Sequence, residues 1–155
     1  MRLVFLVGLN HQFQIGPDGI IPVEASREDF SKFGDFLKSV IERHNIRGIA
    51  EEMSRCALRR HHVRNDSFPC QLAMKIGLPH CYCDPDAATQ TQLNITEDPQ
   101  REQYWINELT RFDTFPVLFI LGSDHVESFN TLLVECGFQP FIVERNWQPE
   151  MTLRT

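Results

Sequence analysis

Leu3-Val4-Phe5-Leu6-Val7 runs directly into Gly8-Leu9-Asn10-His11, and Val117-Leu118-Phe119-Ile120-Leu121 runs into Gly122-Ser123-Asp124-His125. A continuous apolar run of that length marks a strand buried on both faces, as in a parallel sheet covered by helices. Open α/β sheets bind ligands just outside the carboxyl ends of their strands. A glycine followed by a histidine at that place delivers an imidazole to the binding edge. Two such turns, from opposite ends of the chain, point to one shared site.

The segments between these strands alternate in character. The stretch 12–25, with Gly16-Pro17-Asp18-Gly19 and then Ile20-Ile21-Pro22-Val23, reads as a loop or small flap beside His11, because Pro22 argues against a central strand. Ser26 has the chemistry of an N-cap, with Asp29 completing a capping box. Phe30, Phe33, Leu37, Val40 and Ile41 follow at helical spacing and define one apolar face. A short second strand is centred on Ile49-Ala50 and ends at Glu51-Glu52.

Residues 53–60 are expected to be helical, and a further helical piece starts near Pro69 and closes at Gly77. A third strand, 78–83, is broken by Asp84-Pro85-Asp86, and 87–99 reads as a long connection without a period. Residues 101–112 form a helix with Tyr104, Trp105, Leu109 and Phe112 as its stripe. A helix over 126–136 ends at Gly137, and Phe141-Ile142-Val143 supplies a fifth strand. This alternation predicts a single α/β domain over 1–147 and a C-terminal tail over 148–155. Its core is a mainly parallel, doubly wound sheet of about five strands flanked by helices.

Composition narrows the function classes. The chain has 155 residues, long enough for a sizeable core, and a net charge of −6 that gives no basic footprint for nucleic acid. Arg59, Arg60, His61, His62 and Arg64 form a basic cluster that reads as a solvated helix end, or alternatively an anion site. No apolar stretch approaches a membrane span, and the short run after Met1-Arg2 lacks a cleavage site, so neither a membrane partner nor a signal peptide is expected. The odd set of cysteines (Cys56, Cys70, Cys81, Cys83, Cys136) fits a reducing cytoplasm. Exposed aromatic residues would permit a homo-oligomer.

The polar residues gather at the predicted strand ends. These are Asn10-His11, Glu51-Glu52, Asp84 with Asp86, and Asp124-His125, which a parallel sheet brings to one edge. Two imidazoles and a carboxylate can hold a divalent transition metal (manganese, cobalt, zinc or iron) that activates water or polarises a carbonyl. Side chains alternate along a strand, so Glu51 and Glu52 are expected to take different roles, in this order or the reverse. Glu51 is expected in the site, with His11 and His125 as fellow metal ligands, and Glu52 behind it. Taken singly, His125 could instead open the last helix, with Asp124 or Ser123 as its N-cap.

Arg101 opens a helix against the helix dipole, which suggests a site role: holding a substrate carboxylate or phosphate, or stabilising an oxyanion. The alternative is pairing with Glu97, Asp98 or Glu102. Cys81 and Cys83 lie on one face of a strand without a second pair, and read as core residues.

Gly8 and His11, Glu51 or Glu52, Arg101 within Arg101-Glu102-Gln103-Tyr104-Trp105, and Gly122 and His125 together resemble the Tiki/TraB group. That group lies within the erythromycin-esterase-like and ChaN-like superfamily. The likeness spans nearly the whole chain, on short motifs. It implies an α/β core and, for Tiki-like members, metal-dependent peptide hydrolysis; other members are esterases or bind haem. The chain departs from the group in its shortness and in Gly-Leu-Asn-His replacing the common Gly-Thr-x-His.

The sequence therefore leads to a metal-dependent hydrolase of peptide or ester type, acting on a small molecule or peptide. Glu51, Glu52, Arg101 and His125 would be catalytic, His11, Glu51 and His125 the metal ligands, and Asn10, Arg101 and Asp124 substrate contacts. The alternatives are a non-catalytic ligand-binding or sensor module of the same fold, and a metal-dependent nuclease.

Overall fold

The computed structural model describes residues 1–17, 24–63 and 65–150. Five parallel strands form its centre: β1 (Leu3–Leu9), β2 (Gly48–Glu51), β3 (His80–Tyr82), β4 (Val117–Gly122) and β5 (Gln139–Glu144). Their spatial order is β3-β2-β4-β1-β5. The helices are α1 (Gln12–Ile15), α2 (Arg27–His44), α3 (Arg55–Arg60), α4 (Phe68–Ile76), α5 (Ala87–Gln92), α6 (Asp98–Phe112) and α7 (Val126–Glu135). The doubly wound parallel α/β sheet expected from the sequence is the fold observed.

Side-chain alternation builds two cores. Phe5, Val7 and Leu9 of β1, Ile49 of β2, and Leu118 and Ile120 of β4 face α2 and α4. Val4, Leu6, Ala50, Val117, Phe119 and Leu121 face α6 and α7, where Trp105, Leu109 and Phe129 are fully buried. Each strand thus feeds both layers, which is why the runs are apolar without interruption.

Local chemistry sets the helix ends. Ser26 and Asp29 exchange hydrogen bonds in a full capping box at the start of α2, and Asn45 closes it in the left-handed region at φ 52°. Ser54, Ser67 and Asp86 each accept from a backbone N–H to start α3, α4 and α5. Two short helices differ from the sequence reading. Gln12–Ile15 is one helical turn rather than loop, started where Asn10 Oδ1 accepts from the Gln12 N–H. Ala87–Gln92 is helical within the expected connection, because the Asp86 cap compensates for a segment with no buried residue.

The expected flap over 18–23 lies outside the described residues, as do Arg64 and residues 151–155. After β5, Trp147 is fully buried against Phe13, Phe33 and Phe36, and Pro149 is buried too. Among the described residues no helix is long and apolar enough to cross a membrane.

The winding positions the site. β1 is followed by α2 on one face and β4 by α7 on the other, and the two strands are neighbours. The gap between their carboxyl ends is therefore the topological switch point where such sheets bind ligands. The pairing runs from Val4↔Val117 to Leu9↔Gly122, so the two Gly-x-x-His turns leave the sheet side by side.

Candidate active site

Glu52 lies at the centre of this gap. Its backbone N–H still pairs with Ile120, and its side chain follows the parity of Ala50 toward the α6 and α7 layer. Oε1 accepts from the Gly122 N–H at 2.8 Å, and Oε2 accepts from Arg101 Nη2 at 2.7 Å. Two imidazoles approach the same carboxylate: His11 Nε2 lies 3.7 Å from Oε1 and His125 Nε2 lies 3.6 Å from Oε2. The two histidine turns therefore converge on Glu52.

Each imidazole is held from behind through Nδ1. His11 meets Gln14 Oε1 at 2.6 Å, and His125 meets Glu102 Oε2 at 3.0 Å. Glu102 is buried and also accepts from Ser128 Oγ at 2.7 Å. The hydrogen bond to the Glu102 carboxylate raises the pKa of His125; burial opposes the rise, and the Glu52 charge adds to it. Trp105 packs edge-on against His125 with ring centroids 5.1 Å apart, fixing the ring plane.

Arg101 is committed to carboxylates. It donates to Glu52, to both oxygens of Asp84 at 3.1 Å, and through Nη1 to Asp98 at 3.1 Å. Trp105 Nε1 donates to the same Asp84 at 2.9 Å. Burial would lower the Arg101 pKa, but Asp84 and Glu52 outweigh it and hold the guanidinium charged. Helix α6 thus delivers Arg101, Glu102 and Trp105 to the site as a unit.

The expected order of the two glutamates is reversed in space. Glu51 follows the parity of Ile49, away from His11 and His125, and is fully buried on the α4 side of the sheet. There it pairs with His80 Nε2 at 2.5 Å, accepts from Ser67 Oγ, and takes a bond from Gln14 Nε2 at 2.9 Å. Two other expected site residues stay outside. Asn10 is exposed and spends its side chain on the Gln12 N–H. Asp124 is exposed and lines an outer groove of about 350 Å3 that also borders Glu102 and His125. Cys81 and Cys83 are free thiols with Sγ atoms 3.6 Å apart, Cys83 within the core.

Gln14, Asp84 and Glu102 contribute most of the support that sequence reading left unassigned. Gln14 and Glu102 had a signal in retrospect. One lies a helical turn beyond His11, and the other stands next to Arg101.

Gly122 has a physical reason of its own. A Cβ there would lie 2.8 Å from His11 Nε2 and 3.3 Å from Glu52 Oε1, although its backbone angles (φ −61°, ψ 140°) suit any residue. Gly122→Ala is therefore expected to keep the fold and displace the His11 ring. Misplacement on the scale of an ångström costs about 100-fold in turnover, to be checked by kinetics beside an unfolding curve.

Comparison with known protein families, characterised proteins and solved structures gave no match.

The donor set was also weighed against a divalent metal. Zinc bonds of about 2.0–2.2 Å to nitrogen and oxygen need free lone pairs aimed at one point. Here one Glu52 oxygen is held by Arg101 and the other by Gly122, and the guanidinium adds a fixed positive charge beside them. Among the described residues no group of three His, Cys, Asp or Glu side chains is arranged to hold a metal ion. In this arrangement the residues do not fit a resident metal, and Glu51, expected as a ligand, lies on the other face.

Proposed function

We propose that the chain is a hydrolase of ester- or peptide-type substrates that works by imidazole acid–base chemistry around Glu52. One observation carries the reading: two imidazoles from different turns present Nε2 to one buried carboxylate at a topological switch point. His11 borders a cavity of about 190 Å3 together with Glu52, Asp84 and Arg101, with Ile15 and Met53 as its apolar wall, while His125 borders the outer groove of about 350 Å3. The smaller volume suits the acyl part of a small substrate.

The roles follow from environment. His11, whose side chain is 48% exposed, stands at the solvent side and takes a proton from water at Nε2. The resulting hydroxide attacks the substrate carbonyl. His125, supported by the Glu102 carboxylate, carries the proton that the leaving oxygen or nitrogen takes up as its bond to the carbonyl carbon breaks. Exchange with solvent then returns a proton to His125 and removes one from His11. Arg101 fixes Glu52, the carboxylate on which both rings converge.

The test is a panel of aryl esters and aminoacyl arylamides, assayed with and without chelator and with added manganese, cobalt or zinc. Turnover that survives chelation and is lost in His11→Ala is the expected result. Turnover that appears only with an added ion would support the metal-dependent reading instead. Saturable binding without turnover would support a sensor module. Magnesium-dependent nucleic-acid cleavage that survives loss of either histidine would identify a nuclease.

A further inference from the structure

Gln14 is fully buried beneath the cavity, and its amide touches three groups. Nε2 lies 2.9 Å from Glu51 Oε1 and 3.1 Å from the Glu52 carbonyl oxygen, while Oε1 lies 2.6 Å from His11 Nδ1. The Glu52 carbonyl can only accept, and so can Oε1 of the Glu51 carboxylate, whose other oxygen meets Ser67 and its ion-pair partner His80. Turning the amide over would set its oxygen against both acceptors and leave them unpaired. One orientation is therefore allowed, with the amide nitrogen on the glutamates and the oxygen on His11.

An amide oxygen only accepts, so the hydrogen shared with His11 belongs to Nδ1. A neutral imidazole has a single N–H, which leaves Nε2 as a lone pair. We propose that Gln14 is a positioning residue that holds His11 as the Nδ1–H tautomer and turns an unprotonated Nε2 toward Glu52 and the cavity. The assignment deepens the hydrolase reading and takes its chemical purpose from it. A neutral amide orients the ring without adding a negative charge, whereas the carboxylate of Glu102 stands behind His125. The two rings share one orientation and differ in the charge behind them, which separates base from acid. Gln14 is anchored in turn by Glu51 and its partner His80, so an interior ion pair braces a ring at the surface.

The tautomer is read directly from the ring-nitrogen resonances of ¹⁵N-labelled full-length protein at a pH above the ordinary imidazole pKa of about 6.5. The His11 signals are assigned by their loss in His11→Asn. The expected spectrum has Nδ1 in the protonated and Nε2 in the lone-pair range. Gln14→Leu should move His11 toward the Nε2–H form that free imidazole favours. A wild-type ring already in the Nε2–H form, or a folded Gln14→Leu protein with unchanged resonances, would overturn the assignment. The wild-type spectrum decides the tautomer even if the variant does not fold. Absence of turnover with the Nδ1–H form intact would count against the hydrolase alone and leave the Gln14 assignment standing.

Discussion

His80→Ala is expected to destabilise the fold by about 3–5 kcal/mol, the range for breaking one half of a buried ion pair. Glu51 is completely buried, and His80 is its one cationic partner among the described residues. Ser67 and Gln14 would still donate hydrogen bonds, but no charge would remain to offset the carboxylate. Replacing both partners, as in Glu51→Gln with His80→Leu, should cost less than His80→Ala alone, because the uncompensated charge goes too. Urea unfolding of the three proteins measures the difference. Equal losses in the single and double variants would show that charge pairing is not what holds this layer together.

The same pair gives a pH dependence with a definite sign. Burial alone would lower the His80 pKa. Hydrogen bonds to the Cys70 thiol and the Glu51 carboxylate outweigh that effect and hold it at about 10, against an ordinary 6.5. The folded state thus binds this proton more tightly than the unfolded chain does. Its contribution is complete below about 6.5 and is lost as pH rises through about 10. Wild-type stability should decline across that window, and the decline should be much shallower in the Glu51→Gln, His80→Leu protein.

The second large effect is kinetic. His11→Ala and His125→Ala are each expected to lower kcat/KM by about 100- to 10,000-fold, the range for removing a positioned acid or base. His11 is half exposed, so its loss should leave the unfolding curve nearly unchanged, whereas His125 is buried against the Glu102 carboxylate and its kinetic loss is read beside a measured loss of stability. Comparable losses of activity and stability would mean that the histidines serve folding.

The fold was legible because β1 and β4 are buried on both faces and say so in unbroken apolar runs. Their matching Gly-x-x-His endings marked the sheet edge at which the two turns lie side by side. Glu51 and Glu52 were not separable in the same way. Parity assigns them to opposite faces, but which face carries the site depends on where α6 and α7 pack. The neighbours Ile49 and Ala50 are both apolar and do not reveal it. Arg101 stood out as a cation expected to open a helix; α6 begins earlier, at Asp98, so Arg101 is its fourth residue, and Glu52, Asp84 and Asp98 surround it. Gln14 and Glu102 were hidden for another reason. Their roles are to orient other side chains, and their places beside His11 and Arg101 gain meaning only once those residues are known to meet.

The measurement that bears most directly on a shared site is kcat/KM for His11→Ala, His125→Ala and the double variant on one hydrolysed substrate. Groups that act together on one transition state are strongly non-additive. The double variant should therefore lose about as much activity as the more damaged single variant. Losses that multiply, or a single variant with wild-type activity, would contradict a site in which both imidazoles work around Glu52.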